Sequence, residues 1–252
     1  MKLFSKISGK GEPLVIMHGV FGMSDNWQTL GRRWSEEYEV HLLDMRNHGR
    51  SPHSDEFSYE LMADDLLEYL DDHSISSAYI VGHSMGGKVA MLFSVLNEER
   101  VSKLVVADIA PRPYPPHHEE IIAALQSLPL KELSSRSEAE EKFAISNFGI
   151  RQFLLKNLYW QEKDQLAWRF NLPVIAREIN EVGEGLPPQA IFHGPSLFIR
   201  GGKSDYIRDE DEEEIEAHFP GHILHTIDGA GHWLHAEKPD EFFAVVGDFL
   251  KS

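Results

Sequence analysis

Short β-rich runs alternate with stretches of helical spacing from near the start of the chain to about Ala110, and this alternation constrains the fold more than any other feature. Leu14 to Met17, Val40 to Leu43, Tyr79 to Val81 and Leu104 to Ala107 read as strands. Trp27 to Tyr38, Tyr59 to Asp72 and Gly86 to Leu96 carry helical spacing between them. Strands separated by helices in this way form βαβ units, so a mostly parallel central sheet flanked by helices is expected. The pattern breaks at Pro111-Arg112-Pro113-Tyr114-Pro115-Pro116, which can continue neither a ladder nor a helix. The next stretch reads as almost wholly helical, with helices expected over Glu119 to Leu128, Ser137 to Asn147, Gln152 to Tyr159 and Val174 to Val182. Alternation resumes with a strand over Leu197 to Arg200, a helix over Glu212 to Phe219, a strand over Ile223 to Ile227 and a helix over Asp240 to Leu250. The expected organisation is therefore a core of residues 1–111 and 191–252, interrupted by a helical cap over residues 112–190.

Composition narrows the function classes. The chain has 252 residues and 42% hydrophobic content, enough to bury a core without a metal or crosslink. The absence of cysteine removes thiol nucleophiles and thiolate zinc sites. No run approaches a signal or membrane-spanning segment, so a cytoplasmic location and no membrane partner are expected. A net charge of −17, from 41 acidic against 24 basic residues, repels nucleic acid, which is not an expected partner. The acidic run Asp209 to Glu214 reads as the solvated first turn of a helix.

The sharpest chemical signal is Gly82-His83-Ser84-Met85-Gly86-Gly87, which follows an apolar strand and leads directly into a helix. This is the G-x-S-x-G turn in the context where a serine serves as nucleophile: glycines two residues either side make room for strained backbone at Ser84. Serine needs an adjacent base, and His232 in Asp228-Gly229-Ala230-Gly231-His232-Trp233 follows the last strand on the same sheet edge. The other histidines fit less well. His222 and His225 face opposite sides of a strand, and His117, His118 and His235 lie in a linker or at a helix start, so no metal site is expected. Two aspartates end strands on the edge where an acid would orient the imidazole, Asp108 and Asp205, and spacing does not choose between them. Backbone donors for a developing oxyanion are expected at Met85 and at Val20, with Phe21 as the alternative to Val20. Arg46, in the polar turn Asp44 to Ser51, is expected to tie loops together.

These residues resemble the α/β-hydrolases, and within them the small esterases of the YbfF type. The resemblance is carried by His18-Gly19-Val20-Phe21-Gly22, Asp44-Met45-Arg46-Asn47-His48-Gly49, the Ser84 motif through Lys88, Asp108-Ile109-Ala110-Pro111, Trp168-Arg169-Phe170-Asn171 and Gly229 to Trp233. It implies an α/β-hydrolase fold with an inserted helical cap, and hydrolysis of a small-molecule ester or thioester without a cofactor. It also favours Asp108 over its rival Asp205 as the acid, because some relatives lack an aspartate at the latter position. A lactonase, a carbon–carbon bond hydrolase, a haloperoxidase and a non-catalytic binding member share the scaffold and are the alternatives. Phe21 and Trp233 in the core, and Phe143, Phe148, Phe153, Trp160 and Trp168 in the cap, are candidates for an apolar acyl pocket. A monomer or homodimer is expected.

Overall fold

Seven strands form one sheet: β1 (Ser5–Ser8), β2 (Pro13–Met17), β3 (Glu39–Leu43), β4 (Ala78–His83), β5 (Val101–Ala107), β8 (Ser196–Gly201) and β9 (Ile223–Ile227). The computed structural model describes every residue of the chain except Pro116, His117 and Asp164. The end of the proline-rich run and His117 therefore lie outside the described residues. The strand order is β1-β3-β2-β4-β5-β8-β9, all parallel except β1, which pairs antiparallel with β3 at the edge. The helices are α1 (Gln28–Trp34), α2 (Tyr59–Asp72), α3 (Met85–Leu96), α4 (Glu119–Ser127), α5 (Arg136–Lys142), α6 (Phe148–Leu155), α7 (Leu172–Arg177), α8 (Glu212–His218), α9 (Leu234–Glu237) and α10 (Pro239–Lys251).

Strand periodicity divides the core in two. Val15 and Met17 face one side, where they pack with Met62 and Leu66 of α2 and Val89 and Phe93 of α3. Leu14 and Ile16 face the other, with Trp34 of α1 and Phe242 and Val246 of α10. Both sheet faces are thus covered, which is why β2, β4 and β5 read as nearly continuous apolar runs. Arg46 makes a two-pronged pair with Asp65 of α2, at 2.6 and 2.9 Å, and ties the turn after β3 to that helix.

Between β5 and β8 the chain forms α4 to α7 and an antiparallel hairpin, β6 (Leu158–Glu162) with β7 (Gln165–Trp168). The expectation of an almost wholly helical segment is corrected here. Leu166 and Trp168 are buried in alternation with half-buried Gln165 and Ala167, a strand period inside a stretch that the spacing assigned in part to helix. α6 begins earlier than expected because the Asn147 side chain caps it, accepting from the Ile150 N–H at 3.1 Å. Lys88 of α3 is buried and donates to the carbonyls of Pro111 and Arg112, at 2.7 and 2.6 Å, where the chain leaves the sheet.

Candidate active site

Ser84 stands between β4 and α3 with φ 52° and ψ −118°, a backbone conformation that costs on the order of 1–3 kcal/mol for a residue with a side chain. The local packing enforces it. A Cβ on Gly82 would lie 2.1 Å from the Gly86 carbonyl, and one on Gly86 would lie 2.7 Å from the carbonyls of Met17 and His18. Only glycine permits strand, turn and helix to approach so closely. Gly19 in turn lies against the serine, since a Cβ there would be 3.2 Å from Ser84 Cβ, so the loop after β2 borders the hydroxyl.

Asp108 follows β5, also at positive φ (52°), and its side chain is fully buried. Its Oδ1 accepts from the Gly201 N–H at 2.9 Å, and Oδ2 accepts from the Ser204 hydroxyl and lies 2.8 Å from Nδ1 of His232. Burial pushes the carboxyl up to about 6, against the Ser204 and Gly201 hydrogen bonds that favour its ionised form. With Nδ1–H directed at Asp108, Nε2 of His232 is left as the basic nitrogen. The imidazole is further fixed by the Tyr206 ring, stacked at 3.9 Å and 17°, and by Nε2–H of His83, which donates to the His232 carbonyl at 2.8 Å. Asp205 is exposed on the loop after β8, where its own carbonyl accepts from Arg112 and Arg208 at 3.3 Å each.

Three buried histidines are held neutral around this centre. Burial lowers His18 to about 4, and His48 and His83 to about 3. They work as hydrogen-bonding struts: the Met45 N–H donates to Nε2 of His18 at 3.0 Å, and the Phe21 N–H donates to Nε2 of His48 at 3.2 Å. The Phe21 amide is therefore engaged. Among the described residues, the N–H groups of Val20 and Met85 have no protein acceptor.

Ser84 and His232 open onto one cavity of about 260 Å³. Its apolar wall is formed by Phe21 and Trp233 from the core, Ile121 of α4, and Ile150, Phe153 and Leu154 of α6. Among the described residues, no Lys, Arg, Asp or Glu lines it. Four aromatic residues expected at this pocket are elsewhere. Phe143 is buried against Trp168, whose ring stacks on Phe170, because both belong to the core of the inserted segment. Phe148 and Trp160 point outward, 66% and 44% exposed. Phe153 lines the pocket as expected; residues not expected there include His83, Tyr206, and Ile150 and Leu154 beside Phe153 on α6. Ile150, Phe153 and Leu154 did carry a signal, the i, i+3, i+4 spacing of one helix face.

Comparison with known proteins agrees with this architecture. The model of the alpha/beta hydrolase family matches residues 14–245. Esterase YbfF of Escherichia coli K12 is 38% identical over 241 residues, covering 94% of this chain and 92% of that protein. The sn-1-specific diacylglycerol lipase ABHD11 of Xenopus laevis is 39% identical over 252 residues, covering 96% of this chain and 80% of that protein. Among solved structures, a marine microorganism esterase superposes with a TM-score of 0.96 at 42% identity, covering 98% and 99% of the two chains.

Proposed function

Because the chain belongs to the alpha/beta hydrolase family, we propose that it is a serine esterase acting on neutral carboxylic esters of small to medium acyl chains. His232 Nε2 takes the proton from Ser84 Oγ as the oxygen attacks the ester carbonyl. Asp108 holds the imidazole in the required tautomer and stabilises the imidazolium that forms. The tetrahedral oxyanion lies against the Val20 and Met85 N–H groups. The carbon–oxygen bond to the alcohol then breaks, the imidazolium returns the proton to the departing alkoxide, and an acyl-Ser84 ester remains. Water, deprotonated by His232, attacks that ester and the acid leaves with Ser84 restored. In this reading residues 112–190 are a cap that supplies one wall of the acyl pocket.

The observation that carries the proposal is the meeting of a strained Ser84 and the Asp108–His232 pair at one apolar cavity. The same cavity favours neutral esters over acyl-CoA, because among the described residues no Lys or Arg lines it and three arginines of the inserted segment are engaged elsewhere. Arg112 pairs with Asp211 at 2.7 Å, Arg177 with Glu178 at 2.6 Å, and Arg169 lies over the Tyr159 ring. The relative named as a diacylglycerol lipase places glycerolipids among the esters to test.

The deciding experiment compares p-nitrophenyl esters of increasing chain length, a diacylglycerol and an acyl-CoA series, on the wild type and Ser84→Ala. Ester turnover abolished by the substitution, with acyl-CoA the poorer substrate, is the expected result. Ester turnover that survives in Ser84→Ala would overturn the assignment. An enzyme inert toward every ester would shift it to a lactonase, carbon–carbon bond hydrolase, haloperoxidase or binding protein.

A further inference from the structure

The loop that carries Val20 is held by groups that the proposed chemistry does not use. Phe21 has φ 60°, in the left-handed region that an aromatic residue rarely adopts. The peptides on either side of it are both pinned. Its N–H donates to Nε2 of His48, at 3.2 Å, and its carbonyl accepts from Nδ2 of Asn157, at 2.8 Å. His48 and Asn157 are fully buried and come from different parts of the chain, the turn after β3 and the turn between α6 and β6.

A trans peptide is planar with its N–H and C=O antiparallel, so a bond to one end fixes the direction of the other. The Phe21 carbonyl shares a peptide with the Gly22 N–H, which donates to the Gly19 carbonyl at 2.9 Å. The Gly19 carbonyl shares a peptide with the Val20 N–H, and it also accepts from Nδ1 of His18 at 2.8 Å. Two rigid planes thus connect the Asn157 amide to the direction in which the Val20 N–H points.

Both anchors are themselves fixed. Nδ1–H of His48 donates to the Arg46 carbonyl at 2.8 Å, which leaves Nε2 as the acceptor. Asn157 donates its N–H to Leu154 at 3.0 Å and accepts at its carbonyl from Arg169 at 2.9 Å. Its Oδ1 is buried without a hydrogen-bond partner, a cost that an apolar residue of similar size would not carry. A second link joins the same regions: Asn171 donates from its backbone to the Asn47 carbonyl at 2.8 Å, and from Nδ2 to Asn47 Oδ1 at 3.1 Å.

We propose that Asn157 and His48 are positioning residues for the oxyanion loop, so that the Val20 donor is correctly aimed only when the segment between β5 and β8 is seated on the core. The inserted segment then contributes to the chemical step as well as to the pocket wall. The inference rests on the esterase reading, in which the Val20 N–H receives the oxyanion.

The test measures kcat and KM on a short p-nitrophenyl ester and the inhibition constant of a trifluoromethyl ketone of matching chain length, which adds to Ser84 and places an alkoxide in the same hole. The variants are Asn157→Leu, Asn157→Asp, His48→Leu and His48→Gln, each with its thermal midpoint. Loss of one oxyanion donor costs 10²–10³ in kcat in characterised enzymes, so misaiming one is expected to cost about 10–100-fold. For Asn157→Leu and His48→Leu that loss should fall on kcat, with KM within about threefold, and the ketone should weaken by the same factor. Asn157→Asp, which sets an acceptor against the Phe21 carbonyl, should behave alike. His48→Gln keeps an acceptor and should recover most of the loss.

Folded variants with normal kcat, or a kcat loss that leaves ketone affinity unchanged, would overturn the proposal. A wild type inert toward esters removes the reading beneath it and the relay together. An active wild type, an inactive Ser84→Ala and normal Asn157 and His48 variants remove the relay alone.

Discussion

In the proposed mechanism Asp108 must be ionised to hold His232, yet it is the buried carboxylate of the site, and burial pushes its carboxyl up to about 6. The ionised form is the active one in that mechanism, so turnover should be present above that value and lost as the pH falls through it. Because the two groups interact, the kinetic value belongs to the Asp108–His232 pair. A kcat/KM profile should therefore show an acidic limb centred within about a unit of 6; a profile flat from pH 4.5 to 7 would exclude the pair as the catalytic base. Asp108→Asn should lower kcat by roughly 10⁴, the scale on which mis-set tautomers act in other serine enzymes. Asp205→Asn, on an exposed loop, should stay within about twofold. Equal losses in the two variants would contradict the geometric distinction between them. The sequence placed both aspartates at strand ends, but only the fold reveals which one turns back toward the histidine.

At the scale of elements, the Ser84 turn depends on close backbone approach, and its tolerance of added atoms is specific to position. Gly86→Ala would put a methyl group 2.7 Å from two carbonyls of β2 and the loop after it, backbone that cannot rotate away. It should cost about 1–3 kcal/mol in denaturant unfolding, and reduce kcat by shifting Ser84 relative to the loop. Gly247→Ala is the contrasting case: it lies in α10 with nothing within 4 Å of the new Cβ, and should stabilise by about 0.5–1 kcal/mol without affecting turnover. Similar destabilisation by both would refute the steric account.

Elements were legible from the sequence in proportion to the regularity of their burial. α2 spans Tyr59–Asp72 as its spacing indicates, since Ser58 caps it and an apolar stripe faces the sheet. β1 was missed because it is an edge strand with few buried residues. The hairpin of the inserted segment was missed because Leu158 and Tyr159 continue the apolar spacing of the preceding helix, while the pairing that makes them a strand is supplied by residues 165–168. The same segment shows why aromatic content alone misleads: Phe143 and Trp168 pack inward, whereas Phe153 reaches the pocket beside the less conspicuous Ile150 and Leu154 of the same helix face.

Across the whole molecule, the site is built on histidines that the fold keeps uncharged, and this links its architecture to acid stability. His18 is lowered to about 4, His48 and His83 to about 3, and His235 well below its ordinary value, each chiefly by burial. In the unfolded chain each would titrate near 6.5. Between the folded and unfolded values the unfolded state binds more protons, so stability is present above about 6.5 and is lost as the pH falls. Each histidine adds a slope of about 1.4 kcal/mol per pH unit over that interval. Asp108 acts in the opposite sense, because its folded value is raised to about 6 and ionising it in place is unfavourable. One such group offsets only part of four, so the thermal midpoint should fall continuously from pH 6.5 to pH 4.5. A midpoint unchanged over that range would mean that these rings are not held neutral. The two acid effects separate by reversibility and by variant. The kinetic limb of the Asp108–His232 pair should recover at once when the enzyme is returned to neutral pH before it unfolds. His235 stacks on Trp27 and lies outside the proton-transfer pair. His235→Phe should therefore flatten the stability slope and leave the position of the kinetic limb in place.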